Sequence, residues 1–437
     1  MLDRLTRDWL PAALIALGLV LGGSSSGGIW ANAALQLLAL AAIGLLGLRG
    51  GLPRALMLMA AAPVILIVLQ LVPLPPALWT MLPGRAEIAA QFALARLPLP
   101  WLPLALDRDA AMAVLATLFA PLAMLLATQA ASPRGRMLAL RVVVGIALAS
   151  IGLGLLQRFG GSDADWHPYD LTSAGKAVGL FANRNHFATL LLAAMPCAAL
   201  IVPGRAGLGM VLAVLVFGVV LDGSHAGLAL LVPVLALTAL FVRPLWRPGA
   251  IGKLALASGL VLFVAGASWA AWRAQDLPPA GGPEGHRPVM IATTLTAARD
   301  YFPAGSGAGS FQRIYVRYED PARSSGEYRN HAHSDYAEVL LEYGLPGALL
   351  IVAALAWWAR RTWQASRGGP ALAEARAGAV MLGAMLVHSL VDYPLRTAAL
   401  AMLAALAAVL LERPASGSRT EAEADPESTS KERRIAL

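Results

Sequence analysis

Apolar runs long enough to cross a bilayer, about 20 residues each, recur at 9–21, 29–48, 52–72, 110–130, 137–156, 186–202, 206–221, 227–242, 251–272, 343–358, 373–391 and 397–411. This pattern predicts an all-α, polytopic membrane bundle of about 12 transmembrane helices. The first run is short and has Pro11 near its start, so a signal sequence is the alternative reading. The following Gly22-Gly-Ser-Ser-Ser-Gly-Gly lacks a convincing cleavage pattern, and the run is kept as a span. The exception to the apolar pattern is the stretch 273–335, between the ninth and tenth runs, which ends in His331-Ala-His333-Ser334-Asp335-Tyr336. An apolar bundle needs few ionisable groups, so two histidines, acidic residues and many arginines at a membrane boundary point to function.

Basic residues alternate sharply between connections. Arg49 and Arg54, Arg134, Arg136 and Arg141, Arg205, then Arg243, Arg247 and Lys253, and finally Arg360, Arg361 and Arg367 mark one face, while 22–28 and 222–226 carry no Lys or Arg. The positive-inside rule makes the basic face cytoplasmic, with both termini there and the polar stretch outside. The outer face then gathers the segments 73–109, 157–185, 222–226 and 273–335. In the first, prolines with Trp79 and Trp101 read as a segment lying at the interface. The expected organisation is one membrane domain, 1–412, with a Pro-, Ser- and Glu-rich tail, 413–437, too poor in apolar residues to fold.

Composition agrees. The 437 residues are 58% hydrophobic and 14% charged, and the mean hydropathy is +0.64. A formal charge of +8 would fit nucleic acid, but the basic residues are nearly all arginines spread over both faces. Orienting the chain and gripping phosphate through the bidentate fork is the better reading, and nucleic acid is not an expected partner. Cys197 sits alone in an apolar run, which excludes a disulfide framework and a thiolate metal site.

The strongest constellation is His331 and His333 followed by Ser334, Asp335, Glu338, Glu342, Gly344 and Gly347. Ser334 is placed to N-cap a helix, with the histidines just before its positive end, where a neutral, proton-accepting imidazole is favoured. Glu338 and Glu342, four apart, lie on one face and suit orienting a histidine or meeting an arginine. The bland alternative is a solvated loop and an exposed acidic stripe. A second group interleaves Arg287, Arg299, Arg313, Arg317, Arg323 and Arg329 with tyrosines; one or two of these arginines are candidates for substrate phosphate. A third, Asn183-Arg184-Asn185-His186, either holds phosphate or a glycan hydroxyl or simply caps a helix. A fourth is Asp222-Gly-Ser224-His225. In the fifth, His388 and Asp392, four apart on one helical face, are a structural hydrogen bond or a proton relay. No H-E-x-x-H or carboxylate ladder is present, so no metal cofactor is expected.

These motifs, in this order, resemble the O-antigen ligase and polymerase superfamily, bacterial inner-membrane type C glycosyltransferases. Phe181-Ala-Asn183-Arg-Asn185, Gly223-Ser224-His225-Ala-Gly227, Arg287-Pro-Val-Met, Gly307-Ala-Gly309-Ser-Phe311, the helix start at His331 to Tyr336 and His388 to Leu395 each resemble a family element. His225 stands where the family commonly has arginine, which shifts the expected grip on diphosphate to Arg184; Ser334 replaces the usual asparagine. The resemblance implies transfer of a glycan from undecaprenyl diphosphate, without metal and with inversion, at the periplasmic face. The acceptor is a sugar of the lipid A core, another lipid-linked repeat, or in relatives a protein hydroxyl. It also implies His333 as the base, with His331 or a glutamate orienting it. Arg287 would offset leaving-group charge, and Arg184, Asn183, Asn185, Arg313, His225 and Glu342 would hold substrate. The competing class, a lipid-linked sugar transporter, expects polar residues through the middle of the bundle and internal repeats; neither is legible, and polarity concentrates on one face.

Overall fold

The computed structural model describes residues 4–26, 29–47, 51–160, 166–173, 175–243, 287–320 and 329–412. The expected ninth span at 251–272, the start of the polar stretch, Arg323 and the tail at 413–437 lie outside them. The described chain is mostly helical. Its helices are α1 (Arg4–Leu21), α2 (Trp30–Leu46), α3 (Arg54–Leu71), α4 (Pro76–Trp79), α5 (Ala86–Leu94), α6 (Arg108–Thr117), α7 (Phe119–Ala130), α8 (Pro133–Phe159), α9 (Arg184–Ile201), α10 (Arg205–Asp222) and α11 (His225–Leu237), then α12 (Arg287–Tyr301), α13 (Phe311–Tyr318), α14 (Asp335–Arg367), α15 (Ala373–His388) and α16 (Ala398–Glu412). Among the described residues, seven helical segments are long and apolar enough to cross a membrane, with α6 and α7 counted as one and α2 and α16 shorter apolar helices beside them.

Helix α9 is the axis: 83% of it is buried, and α8, α10, α11 and α15 pack around it. Helix α16 lies against α1, α7 and α15, and α2 closes on α7. Polar caps set where several helices begin. Asp107 accepts from Ala110 N at 3.0 Å and Ser224 from Gly227 N at 3.0 Å, each satisfying an amide that has no partner within its own helix. Ser132, followed by Pro133 in the first turn, starts α8 in the same way.

The described part of the polar stretch is largely helical. Helices α12 and α13 form a second core with Met290, Tyr301, Phe311, Ile314 and Leu341, packed on the first turns of α14. Gly344 bends α14 with φ +56°, and a Cβ there would lie 2.1 Å from Pro303 O. Leu345 N donates to that same carbonyl at 2.8 Å, so the bend lets the 303–307 turn dock where only glycine fits.

The segment after α3 is held on this core. Two short strands, β1 (Pro73–Leu74) and β2 (Leu102–Pro103), pair antiparallel and close it into a lobe. Trp79 is buried in that lobe and donates to Pro100 O at 2.9 Å, whereas Trp101 is exposed. Of the two tryptophans read from sequence as interfacial, Trp101 alone keeps an exposed ring. Arg85 lies buried over the Tyr301 ring, 5.7 Å from its centroid, and burial lowers its guanidinium to about 10. Gln70, near the end of α3, ties that helix to α14 and the turn before α13: Nε2 donates to Glu342 O at 3.0 Å and Oε1 accepts from Ala308 N at 2.9 Å.

Candidate functional site

Ser334 caps α14 as its sequence position predicts, accepting from Ala337 N at 3.4 Å. The end of the helix is docked on the turn after α15: Asp335 N donates to Ser389 O at 3.1 Å, and Ser389 Oγ donates to Asp335 Oδ2 at 2.7 Å. This joint brings the His-x-His segment against Asp392, Tyr393 and Arg396. His333 adopts a left-handed backbone, φ +52°, a conformation costing a β-carbon residue about 1 kcal/mol or more. The strain sits at the residue whose ring must turn toward Asp392.

His333 Nδ1 lies 3.3 Å from Asp392 Oδ1, a contact too poorly aligned for a good hydrogen bond, and the His333 side chain is 22% exposed while Asp392 is fully buried. Asn185 Nδ2 donates to the other oxygen, Asp392 Oδ2, and Asn185 Oδ1 accepts from Ser224 Oγ at 2.7 Å. Burial would push the Asp392 carboxyl up, but the His333 contact and the Arg287 guanidinium hold it well below the ordinary carboxylate range. A buried carboxylate kept ionised in this way favours a proton on the facing Nδ1 and leaves Nε2 to accept one.

A second histidine and carboxylate stand beside the first. His331 Nδ1 is 2.8 Å from Glu338 Oε1, and Ala332 N donates to Glu338 Oε2 at 2.9 Å. The Tyr393 ring packs against three imidazoles, with centroids 4.5 Å from His331, 5.0 Å from His333 and 4.9 Å from His186. Burial and the neighbouring Asp392 raise the Tyr393 phenol, so it stays neutral.

Arg396 binds the acidic face of α14. Its Nη1 lies 3.2 Å from Glu338 Oε1 and 3.1 Å from Glu342 Oε2, and its Nε lies 3.7 Å from Asp335 Oδ1. Burial works against the charge, but the three carboxylates more than restore it, and the guanidinium is held above its ordinary value.

The residues read from sequence divide by place. Arg287, first in α12, acts electrostatically on Asp392, Tyr393 and Arg184. Arg184, first in α9, also faces Asp222. Asn183 is the N-cap of α9 and bonds to the Tyr393 side chain. Glu342 is fully buried on Arg396. His225 is exposed in the first turn of α11. Arg313 is 64% exposed and paired with Asp107 at 3.1 Å, outside this cluster. His388 and Asp392 do not share a helix: α15 ends at His388. His388 Nδ1 meets Thr189 Oγ1 at 2.7 Å, while Asp392 turns to His333 and Asn185. Arg396 and Tyr393 were not singled out in the sequence. The signal for Arg396 was the acidic pair Glu338 and Glu342, which has no basic partner on its own helix. Among the described residues, no three His, Cys, Asp or Glu side chains are grouped to hold a metal ion.

A cavity of about 820 Å³ opens beside the cluster, between the turn after α1, the helices α2, α6 and α7, and α14. His331, Asp335 and Arg396 line its polar end.

No curated protein matches the chain. Against protein-family models, residues 208–352 match the family described as O-antigen ligase, a stretch running from α10 through α12 and α13 into α14. Arg184, Asn185, Asp392 and Arg396 come from outside it, so the cluster is completed by helices beyond the matched segment. Residues 208–352 are therefore similar to the O-antigen ligase family, and the long apolar helices mark a multi-pass membrane protein.

Proposed function

We propose that this protein is a metal-independent, inverting glycosyltransferase that moves a glycan from undecaprenyl diphosphate to a membrane-anchored acceptor, the lipid A core or a growing polysaccharide, at the periplasmic face of the inner membrane. The full fold is then about 12 spans with both termini cytoplasmic. The observation that carries this reading is the accessible His333 imidazole, backed by Asp392, a carboxylate on which Arg287 also acts electrostatically.

In this mechanism His333 Nε2 takes the proton of the acceptor hydroxyl as its oxygen attacks the anomeric carbon. The bond to the diphosphate breaks on the opposite face, and Arg287 with Arg184 offsets the charge left on the departing phosphate oxygen. Asp392 holds the imidazole and stabilises the imidazolium. Asn183 and Asn185 fix that carboxylate and the Tyr393 phenol. Glu342 acts through Arg396, as a positioning residue for the head of α14.

Transfer measured in membranes with His333→Ala and Arg287→Ala tests the assignment; full activity in either would overturn it. Deletion of the protein separates ligase from polymerase. Long lipid-linked polymer left unattached marks a ligase, and single repeats mark a polymerase.

A further inference from the structure

Resting on the reading above, we propose that Ser224, in the turn between α10 and α11, is a positioning residue for the base: its hydroxyl orients the Asn185 amide, and that amide orients the Asp392 carboxylate behind His333. The chain of bonds runs in only one direction. Asp392 is ionised and can only accept, so Asn185 presents Nδ2 to its Oδ2. The amide then turns its carbonyl to Ser224 Oγ, 2.7 Å away, and because a carbonyl also only accepts, the serine proton is committed to it. Ser224 Oγ in turn accepts from Gly227 N at 3.0 Å. Ser224, Asn185 and Asp392 are all buried, which makes each link costly to lose.

The contact is built by two helix starts. Ser224 is the N-cap of α11 and Asn185 lies in the first turn of α9, so the bond forms only if those turns close on one another. Gly227 lets them close, since a Cβ there would lie 2.6 Å from the Ala188 Cβ of α9.

The consequence for the base follows from the two oxygens of Asp392. Asn185 occupies Oδ2 and leaves Oδ1 to His333 Nδ1, 3.3 Å away. Without the serine proton the amide is free to rotate, and its carbonyl would face the carboxylate. An anion beside a carbonyl dipole is less stable than one beside an N–H, so Asp392 and His333 as a pair would take up a proton more readily. The active form, with the carboxylate ionised and the imidazole neutral, would then be lost at higher pH. The other titratable or charged groups acting on or beside Asp392 are Arg287 of α12, His186 of α9, His388 at the end of α15 and Tyr393, and the substitutions below leave all of them in place.

The test is transfer by the full chain in membranes, measured against pH and against donor concentration, with lipid-linked glycan extracted from cells lacking the protein as donor. Glycine caps a helix nearly as well as serine but carries no hydroxyl, whereas threonine keeps both functions. Ser224→Gly should lower kcat about tenfold, the size of one lost hydrogen bond, leave the donor KM within about twofold, and move the acid limb of the rate profile to higher pH. Its melt should stay near the parent, and Ser224→Thr should recover most of the rate. Ser224→Gly combined with Asn185→Ala should be no slower than Asn185→Ala alone, because both break one chain. The parent's kcat in Ser224→Gly, an unmoved acid limb, a Ser224→Thr no faster than Ser224→Gly, or losses that multiply in the double variant would each overturn the proposal. If Ser224→Gly does not fold, Ser224→Cys, close in size but with a weak S–H donor, carries the same expectations. Full activity in His333→Ala overturns the reading itself; an inactive His333→Ala beside an unaffected Ser224→Gly overturns only the role of Ser224.

Discussion

The two ends of the helical bundle use the same side chains for opposite purposes. At the end with Asp8, Ser132 and Glu412, arginines staple helix termini. Arg136 Nε donates to Glu374 Oε2 at 2.8 Å and Nη1 to Ala131 O at 3.1 Å, and Arg376 Nη2 donates to Gly369 O at 2.9 Å. Arg361 meets Glu412 at 3.1 Å. Each guanidinium there fills carbonyls or a carboxylate that a helix end leaves without partners. At the other end, Arg396 is buried under three carboxylates, two histidines face carboxylates of their own, and Asn32 Oδ1, His331 Nε2 and Glu342 Oε1 are enclosed without a hydrogen bond among the described residues. Enclosed atoms without a hydrogen bond among the described residues occur at both ends, Arg361 Nε and Thr362 Oγ1 at the first, so what sets the second end apart is its clustering of histidines and carboxylates around one arginine.

Substitutions at five positions sharpen that contrast, from large to small. Losing the base by His333→Ala should lower transfer by about 100- to 10,000-fold, and Arg287→Ala by about 100- to 1,000-fold, with melting curves unchanged. Turnover in membrane vesicles reads this, and an equal loss on Arg136→Ala would break the distinction between the two ends.

Arg396→Ala leaves three carboxylates without their cation and should cost on the order of 3–5 kcal/mol. Denaturation in detergent should show it, and Arg396→Lys should recover part of the stability but less of the activity, because a single ammonium cannot span Glu338 and Glu342 in the same geometry.

Asp392→Asn tests the electrostatics by pH. The Asp392 carboxyl is depressed in the folded protein, so its stabilisation is fully present above the ordinary aspartate value of about 3.9 and is lost as pH falls from there through the lower folded value. The parent should lose stability across that acidic window and the asparagine variant should lose less of it. Parallel pH profiles would show that the His333 and Arg287 contacts do not act on this carboxylate.

Arg136→Ala should be the mildest, costing about 1.5–3 kcal/mol for the charged hydrogen bonds to Glu374 and leaving transfer intact. Melting temperature against turnover separates the two.

How much of this was legible in the sequence follows from the range of each interaction. Eleven of the apolar runs correspond to described helices because bilayer length and hydropathy are local properties, and Ser334 was readable as a cap because capping acts within one turn. The stretch before it was legible as polar but not as α12 and α13, whose apolar faces are short and depend on packing against α14. His388 and Asp392 looked like partners because four positions make one helical face; the helix ends between them. Arg396 stayed hidden because its carboxylate Glu342 is 54 positions away.

The sequence alone determined that the chain is built of apolar helices of membrane length and that His331, His333 and Arg287 lie in the polar stretch between two of its apolar runs. These depend on hydrophobicity, charge and spacing, which each residue carries with it. The tertiary structure decided which carboxylate each histidine faces, that Arg396 is consumed by α14, and that Tyr393 packs against both histidines. Those outcomes depend on helices far apart in the chain meeting at one point, and a buried charge has no character until its partner is in place.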